Sequence, residues 1–225
     1  MKKAQNAIIR MFHVHKRFNA KPALINITLD IFKNEFIFLT GPSGAGKSTL
    51  LKLLYLGEPI SEGQILIDGM NLARISRSRA SILRRKLGIV FQDYKLIPSK
   101  TVYENIALVL EARNLNKRFI QKKVNSVLRT VGMEGRQKSF PLSLSGGEQQ
   151  KIAVARAVVG DPKIILADEP TGSLDAESAD TIFNLLITFH RRGTTVLFAT
   201  HDTSLLREKN TRIVHLNQGR IDATP

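Results

Sequence analysis

Short, uninterrupted apolar runs punctuate the chain. Ile37–Thr40, Gly88–Phe91, Lys163–Ala167 and Thr194–Ala199 are each four to six residues long, which predicts buried strands rather than helices. Between them the apolar spacing changes to helical. Leu50, Leu51, Leu53 and Leu54 share one helix face. Thr101 followed by Glu104 forms a capping box that opens a helix carrying Val102, Ile106, Val109 and Leu110, and residues 117–131 predict a second helix. Ser145 with Glu148 forms another such box, and Ile152, Ala155, Val158 and Val159 make an apolar stripe, with Gln150, Lys151 and Arg156 expected off it. Strands alternating with helices predict an α/β fold. No apolar run approaches the ~18 residues of a membrane span.

The most informative junction joins the first of these strands to the first helix. Gly41, Pro42, Ser43, Gly44, Ala45, Gly46, Lys47, Ser48 and Thr49 spell G-x-x-x-x-G-K-[ST]. Strand, glycine loop and helix together are the context of a phosphate-binding loop. Its glycines let backbone N–H groups turn inward, and the helix start adds a positive dipole end. Lys47 can place a cation between the β- and γ-phosphates of a nucleotide, and Ser48 can offer a hydroxyl to Mg²⁺.

A second set of residues completes the chemistry. Asp168 follows the strand at Lys163–Ala167, at the carboxyl end where open α/β sheets place ligands. A carboxylate there suits Mg²⁺, which prefers oxygen. Glu169 beside it can polarise a water for attack on the γ-phosphate.

Composition narrows the setting. The 225 residues are 43% hydrophobic and 24% charged, which is the balance of one folded domain. The absence of cysteine excludes a disulfide scaffold and a thiolate metal site. Arg10, His13, His15 and Lys16 interrupt the basic N-terminal stretch, so it does not read as a signal peptide and the chain is expected to stay in the cytosol. The net charge is +15, and the stretch from Arg74 to Lys86 is basic without one acidic residue. It predicts either a solvated amphipathic helix or a membrane-proximal surface.

Leu144–Gln150, LSGGEQQ, resembles the signature motif of ABC ATPases. The other elements of that family follow in its order. Gln92 resembles the Q-loop glutamine, Gly172–Asp175 the D-loop, and His201 the switch histidine. The resemblance covers essentially the whole chain and implies a P-loop core of the RecA-like type with an antiparallel β subdomain, built from the N-terminal segments and Gly63–Asp68, and a helical subdomain near residues 93–158. It implies ATP and Mg²⁺ as ligands. Glu169, His201 and Gln92 take catalytic roles, and Ser48, Gln92 and Asp168 surround the metal. Ser145, Gly146, Gly147 and Gln149 contact, in trans, the nucleotide of a second copy in an ATP-bound homodimer, and Asp175 belongs to the D-loop. The family stacks adenine on an aromatic residue, often tyrosine. Phe18 stands at that offset, 29 residues before Lys47, and keeps the ring while losing the hydroxyl.

The resemblance also implies a partner. The segment FQDYKLIPSKTVYENIALVL is similar to a cell-division branch of the family, whose ATPases work at the inner membrane with an integral membrane subunit. Tyr94, Leu96 and Ile97 are then the expected docking residues. EPTGSLD is shared with the lipoprotein-release and macrolide-export branches. ABC ATPases of DNA repair carry a long coiled-coil insertion, and those of translation carry two ATPase units. Neither feature is found in this sequence, so no specific nucleic acid is expected.

Overall fold

The computed structural model describes residues 7–202 and 211–222; the first six residues of the basic N-terminal stretch lie outside them. The chain opens with a hairpin of β1 (Ala7–Phe18) and β2 (Lys21–Phe32), then enters β3 (Phe36–Thr40) and α1 (Lys47–Leu54). A second hairpin, β4 (Glu62–Ile67) and β5 (Met70–Asn71), precedes α2 (Arg77–Arg84) and β6 (Leu87–Val90). Three helices follow: α3 (Val102–Glu111), α4 (Lys117–Thr130) and α5 (Gly146–Val158). The chain then returns through β7 (Ile164–Asp168), α6 (Ala176–Arg191), β8 (Thr195–Ala199), β9 (Arg212–Asn217) and β10 (Arg220–Ile221).

Two sheets result. One is antiparallel, in the order β2-β1-β4-β5; the other has the order β10-β9-β3-β8-β7-β6, parallel except for β10. The inner strands of the larger sheet are covered on both sides, which explains why β3, β6, β7 and β8 read as apolar runs, whereas β9 alternates. Phe36, Phe38, Ile165, Ala167, Val196 and Phe198 pack against α3 to α6. Their neighbours Ile37, Leu39, Ile164, Leu166, Leu197 and Ala199 pack with α1 and the antiparallel sheet. Four phenylalanines, Phe36, Phe38, Phe183 and Phe198, meet on the first face with ring centroids 5.3–6.2 Å apart.

Both capping boxes form, at Thr101 with Glu104 and at Ser145 with Glu148. One helix departs from expectation. Of the residues expected off the stripe of α5, Gln150 is fully buried, while Lys151 and Arg156 are half-buried. The helix is wedged between β6, α3 and α6. The side chains of Gln150 and Arg156 meet backbone oxygens, as burial of polar groups requires. Gln150 donates Nε2 to the carbonyls of Phe91 and Pro170, and Arg156 donates to those of Tyr94 and Lys95.

The expected docking residues also divide. Leu96 packs against the helical core, and the Tyr94 hydroxyl turns toward Ser173; of the three, only Ile97 is exposed, at 38%. The loop cannot splay outward because the buried Asn105 holds it, accepting from the Ile97 N–H and donating to the carbonyls of Ile97, Lys100 and Thr101. In the basic stretch, α2 is capped by Ser76, Leu83 is buried and Ile82 is 48% exposed. The Arg84 guanidinium bonds the carbonyls of Tyr55 and Leu56 at the end of α1. No helix among the described residues is long and apolar enough to cross a membrane.

Asp68 ties the two sheets together. It sits with Gly69 in the tight β4–β5 turn, both at positive φ (47° and 78°), the geometry of a two-residue hairpin. Its Oδ2 accepts from Lys86 Nζ at 2.5 Å, just before β6, and from Lys163 Nζ at 2.9 Å, just before β7. The bond from Lys86, and then that from Lys163, holds its carboxyl below the usual range. A depressed value means that the contribution is complete above the unfolded carboxylate value of about 3.9 and is lost as pH falls through the folded one. Asp68→Asn, which tolerates the same turn, should lower stability at neutral pH by about 1 kcal/mol, and the deficit should vanish at strongly acidic pH. Urea unfolding of both chains across that pH range checks this.

Candidate active site

The loop after β3 is shaped by two close approaches. Gly41 has φ 141°, and a Cβ there would lie 2.0 Å from the Leu216 carbonyl oxygen. Gly46 has φ 108°, and a Cβ would lie 2.8 Å from the Leu24 side chain and 2.9 Å from the Ala23 oxygen. The loop is therefore pressed against β2 and β9 on its outer side. Gly46 is also the N-cap of α1 and supplies no side-chain cap, so the first N–H groups of that helix are left for an external anion.

The side chains from the sheet's carboxyl ends converge on this loop. Lys47 is buried, and its ammonium donates to the carbonyls of Gly41 (2.8 Å) and Pro42 (3.2 Å). It also pairs with Glu169 Oε1 at 3.3 Å. Ser48 Oγ donates to Asp168 Oδ1 at 2.9 Å. His201, just beyond β8, holds Nδ1 2.7 Å from Glu169 Oε2. Glu169 thus bridges the loop lysine and the histidine. It does so from a left-handed backbone (φ 45°), fixed by its N–H bond to the Ala199 carbonyl. Such strain costs about 1–3 kcal/mol and is typical of functional positions.

These residues surround a cleft of about 620 Å³, lined by Pro42, Ser43, Gly44, Gly46, Lys47, Ser48, Thr49, Gln92, Glu169, His201 and also Ala23, which carries no motif. Burial raises the Asp168 carboxyl above its ordinary value; the Ser48 hydrogen bond opposes this, and the neighbouring Glu169 charge adds to it. A carboxylate disfavoured by burial, with a hydroxyl at hydrogen-bond distance, is a set of oxygen donors that fits Mg²⁺.

Other expected site residues lie outside the cleft. Ser145 caps α5, accepting from the Glu148 N–H, and Gln149 donates to the Leu144 carbonyl. A side chain at Gly146 or Gly147 would displace a neighbouring one: a Cβ would lie 2.9 Å from the Tyr94 hydroxyl at the first and 2.6 Å from Ser178 Oγ at the second. Asp175 caps α6, and the Ser178 backbone hydrogen bond leads the contacts that hold its carboxyl below the usual range. Phe18 is 42% exposed at the end of β1, with Lys16 Nζ 4.5 Å from its ring centroid. Sequence reasoning passed over Gln150, Arg156 and the inward turn of Tyr94. For Gln150 and Arg156 the signal was a polar side chain on an otherwise apolar helix, off its stripe; for Tyr94, in the loop after β6, there was none.

Comparison with known proteins agrees with this geometry. A family model described as ABC transporter matches residues 24–172. The cell division ATP-binding protein FtsE of Streptococcus pneumoniae serotype 2 (strain D39) is 44% identical over 216 residues, covering 96% of this chain and 94% of that protein. FtsE of Escherichia coli strain K12 is 42% identical over 215 residues, covering 95% and 97%. The dimeric structure of a post-hydrolysis state of the ATP-binding cassette MJ0796, bound to ADP and Pi, matches with a TM-score of 0.87 at 33% identity, covering 96% of this chain and 97% of that one.

The loop geometry has a direct test. Gly46→Ala should force the loop off β2 and weaken binding of a nucleoside triphosphate about tenfold or more, the equivalent of ~1.4 kcal/mol. Titration with a fluorescent triphosphate measures it, and unchanged affinity would mean that the loop does not hold phosphate.

Proposed function

This chain belongs to the ABC transporter ATPase family, and from that membership we propose how the parts of its site work together as an FtsE-like ATPase for cell division. The chain hydrolyses ATP. The observation that carries the mechanism is the position of Glu169, between the Lys47 ammonium and the His201 ring and beside the Ser48–Asp168 pair.

The N–H groups of Gly41–Thr49 wrap the phosphates of ATP, and Phe18 offers its ring to the adenine. Ser48, Asp168 and Gln92 would hold Mg²⁺, which when bound neutralises charge on the phosphate oxygens. Lys47 exchanges its contact with Glu169 for one with the incoming γ-phosphate. The Glu169 carboxylate is then free to accept a proton from the attacking water. His201 keeps that carboxylate oriented through its 2.7 Å contact. Ser145, Gly146, Gly147 and Gln149 act on the nucleotide of a second copy, and Asp175 lies along the same interface. Two chains close around ATP and separate after hydrolysis.

The helices between β6 and β7, about residues 93–158, form the helical subdomain that transmits this movement. Its partner is an integral membrane subunit resembling FtsX, held at the cytoplasmic face of the inner membrane, and the pair controls cell-wall hydrolysis at the septum. Ile97 is the exposed member of the docking loop and the centre of the contact.

Glu169→Gln keeps the shape and loses the base. Its turnover should fall by about 10²–10⁴-fold while ATP binding persists, so that a dimer accumulates with ATP on size exclusion. Near-normal turnover would remove Glu169 from the base role. A shared site makes a second demand. Mixing Lys47→Ala with Ser145→Arg chains should give more turnover than the two alone, since each mixed dimer keeps one intact composite site. Turnover above their sum supports the shared site, provided one intact site can turn over alone.

A further inference from the structure

The backbone just after Gln92 is held in an unfavourable shape. Tyr94 (φ 58°) and Lys95 (φ 47°) are consecutive non-glycine residues in the left-handed region, and neither has a short polar side chain to stabilise it locally. Their carbonyls are both taken by one guanidinium. Arg156 donates Nη2 to Tyr94 at 2.7 Å and Nη1 to Lys95 at 2.5 Å. A planar fork reaches two adjacent oxygens where an ammonium reaches one.

Arg156 stands on α5, the helix that begins at the signature, and is half-buried. The shape it imposes also directs Tyr94, whose hydroxyl lies 3.5 Å from Ser173 Oγ and closes over Gly146. The same helix grips the cleft from its other side. Gln150 Nε2 bonds the Phe91 carbonyl, just before Gln92, and the Pro170 carbonyl, just after Glu169.

We infer that Arg156 is the positioning residue for the Gln92 loop: it holds Tyr94 and Lys95 in left-handed backbone, so that Gln92 faces the cleft while Tyr94 closes against Gly146 and Ser173. The loop, the signature and the segment before α6 then move as one body. This rests on the ATPase reading only for its kinetic consequence.

The natural chain has no cysteine, so Lys95→Cys gives a unique site for a spin label on an exposed side chain outside the cleft. Arg156→Met in that background should shift the label, without nucleotide, from an immobilised to a mobile line shape. Arg156→Lys, which keeps the charge and one bond, should shift it partway and covers the case in which the methionine variant does not fold. A label at Arg191→Cys on α6 should not change. In unlabelled chains Arg156→Met should lower kcat by about tenfold, ~1.4 kcal/mol in the barrier, with triphosphate affinity held within about twofold. An unchanged Lys95 label in both variants overturns the inference, as does equal mobilisation of the two labels, which would indicate general loosening. Absence of turnover in the parent chain would sink the ATPase reading and leave the spin-label result to decide this one.

Discussion

Everything at the site depends on the registered pairing of three buried parallel strands. Leu39 pairs with Ala199 and Asp168 pairs with Ala199 from the other side, so β3, β8 and β7 end level with one another. That alignment brings the glycine loop, the two carboxylates and His201 to one edge. It is enforced by packing on both faces. A slip of one residue would carry the phenylalanines of one face into the space of the aliphatic residues on the other. The chemistry therefore inherits its precision from apolar side chains that never touch a ligand.

Much of this was legible because the relevant signals are local. A fully apolar strand followed by Gly41–Thr49 leaves few structural alternatives, and Asp168 and Glu169 follow a strand of the same kind. Boundaries shifted by a residue where propensity is indifferent: the strand expected at Gly88–Phe91 runs Leu87–Val90, and Val131 is the C-cap of α4 rather than its last turn. What was not legible depends on partners distant in sequence. Polar residues on a helix ordinarily mark its wet face, and Gln150 breaks that rule only because its acceptors lie 59 and 20 residues away. The direction of Tyr94 was hidden for a related reason: positive φ at a tyrosine has no sequence signature and arises from what holds its carbonyl.

Some of the buried polar groups among the described residues gather beside the cleft, while Lys16, Asn105 and Thr195 are buried away from it. Lys47, Gln150 and Thr200 lie among the fully covered polar residues, and the same region carries the backbone strain at Glu169, Tyr94 and Lys95. Away from the cleft, most polar side chains serve caps and surface pairs, whose individual contributions are small, with Asn105 and Lys16 as buried exceptions. Left-handed backbone at the site is one instance among several in the molecule, at His13, Leu56 and Asp161 as well, but at Glu169 it sits on a residue that lines the cleft.

The place of β3 in its sheet has a consequence for how the chain is made. Its hydrogen-bonded neighbours are β8 and β9, both from the last part of the sequence. At ribosomal rates of about 5–20 residues per second, on the order of ten seconds separate the emergence of β3 from that of its first neighbour. Throughout that interval the segment Phe36–Thr40 has both faces apolar and both edges unpaired. The antiparallel hairpin of β1 and β2 can form early, since its contacts are local, but the strand that launches the phosphate loop cannot. The nucleotide site is thereby among the last features of the molecule to exist, and the nascent chain is most vulnerable to misassociation at the segment on which its activity depends.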